Sequence, residues 1–207
     1  MYMIEVIPGI LEKEWSAIED KVNRVSGVAS WIHIDLADQT MIAVDTPLDF
    51  GRYAKLIAAY PHVSFEAHLL AANPDKYVKQ VADSGFKRII AHVECNDPRR
   101  FLDAAKYEEV EVGMALDGPS EVDQIEPFLE EVDFVLIAAI EEGFSGQKFM
   151  PEVIDKIKLI RQNFADLPIT VVGGINDDTA RLVAEAGATR VITSSYIYNH
   201  PDGVAHA

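Results

Sequence analysis

Residues 132–152 read "VDFVLIAAIEEGFSGQKFMPE". The apolar run 132–140 predicts a strand, the Gly-Phe-Ser-Gly-Gln-Lys-Phe segment at 143–149 a tight turn, and Pro151-Glu152 the start of a helix. In that turn Gly143, Phe144, Ser145 and Gly146 can turn several backbone N–H groups toward one anion, and glycine lets a phosphate approach the main chain closely. Two more segments follow the same plan. "ITVV" (169–172) leads into Gly173-Gly174 and a helix opening at Asp177, and "RVITSS" (190–195) ends a strand at Ser194-Ser195. Any one of these would serve as an ordinary βα connection. Three of them, each at the carboxyl end of a strand in the last third of the chain, predict a phosphate cup at the top of a β/α barrel.

Working outward, strand-like runs fall at 3–7, 30–36, 63–70, 87–93, 110–116, 132–139, 168–172 and 189–194. Helical patterns lie between them at 11–24, 47–59, 74–84, 98–106, 121–130, 151–164 and 177–186. Eight strands over 207 residues give roughly 26 residues per unit, enough for a closed (β/α)8 TIM barrel. The strands are apolar on both faces, as expected where helices cover one side and the barrel core fills the other. A doubly wound open sheet is the alternative, but "VIPGILEKEW" lacks its glycine fingerprint after the first strand. No linker divides the chain, so residues 1–207 are expected to form a single barrel domain. After Tyr198, "NHPDGVAHA" leaves room only for a short or truncated last helix.

The formal net charge is −16, from 34 acidic and 18 basic side chains, which disfavours nucleic acid and anionic membranes as partners. No apolar run approaches the ~20 residues needed to cross a bilayer, and no leader pattern is present, so a soluble cytoplasmic protein is expected. The single cysteine, Cys95, rules out an internal disulfide and a cysteine metal cage.

Side chains two apart on a strand share a face. His33 and Asp35, Glu66 and His68, and His92 and Glu94 are such pairs on the second, third and fourth strands. A lone strand histidine reads as a hydrogen-bonded core residue. The set His33, Asp35 and His68 instead reads as two imidazoles and a carboxylate for one divalent transition metal such as zinc, iron, manganese or cobalt. His92 and Glu94 read as a structural pair beside it.

With these segments read, the chain resembles the ribulose-phosphate 3-epimerase family over nearly its whole length. "HIDLAD" (33–38) is similar to the family's His-x-Asp-x-Met-Asp-Gly, and "EAHLLAANPDKYV" (66–78) to its Asp-x-His-Leu-Met segment with the following Asn-Pro-x-x-Tyr. "GFSGQKFMPEVIDKI" (143–157) resembles Gly-Phe-Gly-Gly-Gln-x-Phe and its helix, and "VVGGINDDTA" (171–180) stands where the family has Val-Asp-Gly-Gly-Ile. The resemblance implies a ribulose-phosphate-binding barrel, a homo-oligomer, and metal-assisted epimerisation at carbon 3 of a ketose phosphate, pentose or hexose. It makes Asp35 an acid/base and metal ligand, His33 and His68 further ligands, and His68, Gly143 to Gly146, Gly173, Gly174, Ser194 and Ser195 contacts to the sugar phosphate. The family's second catalytic aspartate is replaced by Val172. Gly9 replaces a serine, Ala37, Leu70 and Ala138 replace methionines, Gln39 replaces a glycine, and Glu141-Glu142 replace Asn-Pro. Three functions therefore remain open. One is an epimerase whose missing acid is supplied by water or by Glu66, Glu94 or Glu142. Another is a metal-dependent isomerase or lyase that needs one base, and the third is a non-catalytic phosphosugar-binding protein.

Overall fold

The structure, a computed structural model, describes residues 4–140 and 148–200. Its strands are β1 (Glu5–Ile10), β2 (Trp31–Ala37), β3 (Ser64–Leu70), β4 (Arg88–His92), β5 (Glu111–Leu116), β6 (Phe134–Ala138), β7 (Ile169–Val172) and β8 (Arg190–Thr193). Between and after them come α1 (Trp15–Val25), α2 (Phe50–Ala59), α3 (Val78–Asp83), α4 (Pro98–Ala105), α5 (Val122–Ile125), α6 (Val153–Asn163), α7 (Asp177–Ala186) and α8 (Ser195–Tyr198). The strands close in chain order, β1 to β8, into one barrel, so the fold is a TIM barrel. No helix among the described residues is long and apolar enough to cross a membrane.

Contacts divide the chain into two compact units, Pro8–Val112 and Met1–Ile7 with Gly113–Ala207. In the first, β2 pairs with β3 in parallel and β3 with β4, and the register sets His33 beside Glu66, Asp35 beside His68, and Glu66 beside Arg88. Because facing residues in a ladder share a face, that register alone lines up the polar side chains of three strands. The helices follow from local sequence. Trp15, Ile18, Val22 and Val25 form the buried stripe of α1, and Trp15 meets the Tyr53 ring of α2 edge-on at 4.7 Å. α4 begins at Pro98 behind Asp97, whose Oδ1 accepts the Arg100 N–H at 2.9 Å.

In the second unit β5 pairs with β6, β6 with β7 and β7 with β8, all parallel. Gly113 is required by packing: a Cβ there would lie 2.5 Å from the Phe134 ring. Asn176 and Thr179 form a reciprocal capping box at the start of α7, and Gly187 ends that helix at φ +117°.

The predicted boundaries need three corrections. β1 extends through Pro8 and Gly9 to Ile10, beyond the expected 3–7, because proline's fixed φ is compatible with extended backbone. The helix expected over 74–84 is a 3₁₀ turn, Pro74–Lys76, followed by α3 after Tyr77. The one expected over 121–130 stops at Ile125 and continues as a 3₁₀ turn, Glu126–Phe128, around Pro127, which has no N–H for the α ladder. Among the described residues the last helix is the four-residue α8, short as expected but starting at Ser195 rather than after Tyr198.

Candidate active site

β2 and β3 deliver three of the predicted residues to one point. One ligand atom from each of His33, Asp35 and His68 lies within 4.8 Å of the others. Asp35 Oδ1 accepts from His33 Nε2 at 3.1 Å and from His68 Nδ1 at 2.9 Å. Both imidazoles are buried, whereas the Asp35 side chain keeps 17% of its surface exposed, so the carboxylate is the member of the trio that solvent or a substrate can reach.

The two histidines are not equivalent. His33 Nδ1 donates to Glu66 Oε1 at 2.8 Å, which places this ring between two carboxylates. Burial alone would lower its pKa, but the Asp35 charge and hydrogen bonds to Asp35 and Glu66 raise it to about 10. For His68 burial prevails over the Asp35 hydrogen bond, with help from the neighbouring His92, and lowers its pKa to about 4. Burial would raise Asp35, but the charge and hydrogen bond of His33 and the hydrogen bond from His68 hold it well below the usual carboxylate range. The metal-free cluster thus carries an ionised carboxylate, one imidazolium and one neutral imidazole. His68 Nε2 is buried with no hydrogen-bond partner among the described residues, and because Nδ1 donates to the ionised Asp35, Nε2 is the nitrogen that carries the lone pair.

Two imidazole nitrogens and a carboxylate oxygen at this spacing are a chemically suitable donor set for a divalent first-row ion. Asp35 and the buried Glu66 lie on either side of His33. His92 belongs to the surroundings of this trio. Its ring stacks on His68 at 4.9 Å and 25°, and its Nδ1 lies 3.1 Å from Glu94 Oε2.

One part of this arrangement was not anticipated from the sequence. Glu66, considered above as a substitute acid, has both oxygens engaged: Oε1 with His33 and Oε2 with Arg88 Nη1 at 3.2 Å. Burial would raise its pKa, but the His33 hydrogen bond and charge and the Arg88 charge lower it, so it remains an anion. The available signal was Arg88 itself, a cation opening a strand whose next three residues are apolar, since a buried arginine requires a carboxylate partner.

The replaced methionines also have a structural answer. Ala37 and Leu70, two residues beyond Asp35 and His68 on the same strand faces, pack with Ile42, and Met41 and Val44 rest against that group. Met41, Ile42 and Val44 of the β2–α2 loop therefore pack over the ends of β2 and β3. Gln39, in the glycine position, does adopt a left-handed backbone, φ +64°.

The predicted phosphate turns fall in the second unit. Gly143, Phe144, Ser145 and Gly146 lie outside the described residues, as do Glu141 and Glu142. Gly173 and Gly174 both have positive φ, +99° and +64°, and the Gly174 carbonyl accepts from Thr179 Oγ1 at 3.0 Å, tying the turn to the first turn of α7. Ser194 stands at the N-cap of α8 with its hydroxyl unused for capping, and Ser195 is exposed. Val172, partly buried, ends β7 opposite Ala138 and Ile192 on the neighbouring strands.

Residues 5–198 match the ribulose-phosphate 3-epimerase family. A Bacillus subtilis ribulose-phosphate 3-epimerase is 32% identical over 209 residues, covering 97% of this chain and 94% of the relative. The Schizosaccharomyces pombe protein of the same name is 28% identical, covering 96% and 89%. Solved structures at much lower identity share the fold. A Streptococcus mutans KGPDC has a TM-score of 0.76 at 13% identity, covering 98% of this chain and 93% of that one. The 3-hexulose-6-phosphate synthase of Salmonella typhimurium has a TM-score of 0.73 at 17% identity, covering 98% and 94%. With the match running from β1 to α8 and relatives of this identity covered almost end to end, the chain belongs to the ribulose-phosphate 3-epimerase family.

Proposed function

We propose that the protein is a metal-dependent epimerase acting at carbon 3 of a ketose phosphate, with ribulose 5-phosphate the first substrate to test. The observation that carries this reading is the single Asp35 oxygen contacted by both His33 and His68 on the adjacent strands β2 and β3. His33, Asp35 and His68 would hold one divalent transition ion. When bound, that ion supplies Lewis-acid polarisation of a carbonyl and an adjacent hydroxyl, which acidifies the intervening C–H. Asp35 is the base: ionised at neutral pH and partly exposed, it takes the carbon-3 proton onto its carboxylate. Gly143 to Gly146, Gly173, Gly174, Ser194 and Ser195 would supply the N–H and hydroxyl donors for the phosphate, which suits a chain of net charge −16.

Inversion at carbon 3 needs a proton returned to the opposite face, and Val172 has none to give. Glu66 is occupied by His33 and Arg88, Glu94 lies 3.1 Å from His92 Nδ1 and Glu142 lies outside the described residues, so this reading takes water as the donor. Val172 also favours a second reading, a one-base isomerase or lyase with Asp35 as its only proton carrier.

Metal content of the wild type beside His68→Ala, together with incubation of ribulose 5-phosphate in deuterated water, tests both. One equivalent of metal lost in the variant, deuterium at carbon 3 and formation of xylulose 5-phosphate are expected. Exchange that leaves only ribulose 5-phosphate would favour the one-base reading. Metal-replete protein with no exchange at all would remove the epimerase reading.

A further inference from the structure

We propose that Arg88 is a positioning residue for the metal centre, acting through Glu66 on His33; this role rests on the metal reading above. The register places His33, Glu66 and Arg88 side by side on β2, β3 and β4. Their hydrogen bonds form one line: Arg88 Nη1 donates to Glu66 Oε2 at 3.2 Å, and His33 Nδ1 donates to Glu66 Oε1 at 2.8 Å. Arg88 is itself fixed from two further sides. Its Nε donates to Glu111 Oε2 at 2.6 Å at the start of β5, and its guanidinium lies over the Trp31 ring, 3.5 Å from the centroid. Arg88 is 5% exposed and Glu66 1%, so water cannot substitute freely for either partner.

Each oxygen of Glu66 therefore has its own donor, and the carboxylate cannot rotate without breaking one of the two bonds. That holds one proton of His33 on Nδ1 and aims Nε2 at the Asp35 side, so that the lone pair left when Nε2 gives up its own proton would face an ion there. Arginine is required here for its shape as much as its charge. Its planar fork reaches Glu66 and Glu111 at once while stacking on Trp31, which one lysine ammonium cannot do.

The test is zinc affinity by chelator competition in wild type, Arg88→Met, Arg88→Lys and Glu66→Gln, with circular dichroism to establish folding. Arg88→Met keeps the apolar stem against Trp31 and is expected to weaken zinc binding about ten-fold or more, as loss of a residue that orients a ligand does. Arg88→Lys should recover part of that loss, and Arg88→Met added to Glu66→Gln should weaken binding no further than Glu66→Gln alone. In the zinc-loaded wild type, ¹⁵N NMR should show the His33 proton on Nδ1, with that signal broadened or shifted in Arg88→Met. Wild-type affinity in Arg88→Met, or full additivity with Glu66→Gln, overturns the positioning role while leaving the metal reading intact. Absence of zinc binding by the wild type overturns both. Should Arg88→Met fail to fold, Arg88→Lys and Glu111→Gln decide: weakened zinc binding in both supports the role, and wild-type affinity in either overturns it.

Discussion

At position 172 a valine ends β7 where the resemblance to the family leads one to expect a carboxylate, and an isopropyl group can neither ligate a metal nor carry a proton. Asp35, by contrast, is held ionised by two imidazoles and keeps part of its surface open, as the proposed base for one half of a proton exchange must. Adding the missing group should show in the chemical step. Val172→Asp is expected to raise the rate of ribulose 5-phosphate epimerisation by about 10²-fold, the lower end of what a positioned acid–base group contributes. A steady-state comparison at saturating metal checks this. An unchanged kcat, with the variant folded, would place the limiting defect elsewhere, with Gly9 and the Glu141-Glu142 pair as the next substitutions to revert.

The elements that hold these residues were legible to different degrees, for physical reasons. The trio could be read because strands have a period of two. His33 and Asp35 necessarily share a face, as do Glu66 and His68, and apolar flanks show that those faces are buried. The pairing of Asp35 with His68 could not be read, because register between strands is set by packing and turn geometry rather than by either strand alone. Arg88 was missed for the same reason: its partners lie 22 and 23 residues away on two different strands. The periodicity of 121–130 predicts one helix, but Pro127 has no N–H to continue the α ladder, and the segment turns 3₁₀ at Glu126–Phe128. α7 was read correctly because its stop and start signals are local. Asn176 accepts from the Asp178 and Thr179 N–H groups at 3.0 and 3.1 Å, and Thr179 Oγ1 donates to the Gly174 carbonyl. Asn176→Ala is therefore expected to cost about 1 kcal/mol of stability in urea unfolding. By loosening the Gly173-Gly174 turn it should also raise KM for the sugar phosphate with little change in kcat. Loss of stability with KM unchanged would separate this turn from phosphate binding.

For the molecule as a whole, the buried cluster makes stability depend on pH in a way that reports on metal. In metal-stripped protein, the His68 pKa falls from 6.5 to about 4 on folding. Between those values the unfolded chain binds a proton that the folded one refuses, so stability is lost as pH falls from 6.5 toward 4. Asp35, depressed in the fold, adds to the loss at still lower pH as its ionised form is titrated away. His33 acts in the opposite direction. Its pKa rises from 6.5 to about 10, so its contribution is complete below 6.5 and disappears as pH climbs through 10. The metal-free protein should therefore be most stable near the histidine value of 6.5 and weaken on both sides. If His33 is a ligand as proposed, zinc would change the alkaline side, because the ion would stand in for the proton on His33 Nε2. Binding would then release that proton, affinity would rise with pH, and the decline above 6.5 would flatten. Urea unfolding from about pH 4 to about pH 10, run in parallel with chelator and with excess zinc, measures the difference directly. A zinc-dependent stabilisation that grows from pH 6.5 toward the His33 value of about 10 is the expected result. An increment independent of pH over that interval would mean that the ion does not displace the His33 proton, and the assignment of His33 as a ligand would fall with it.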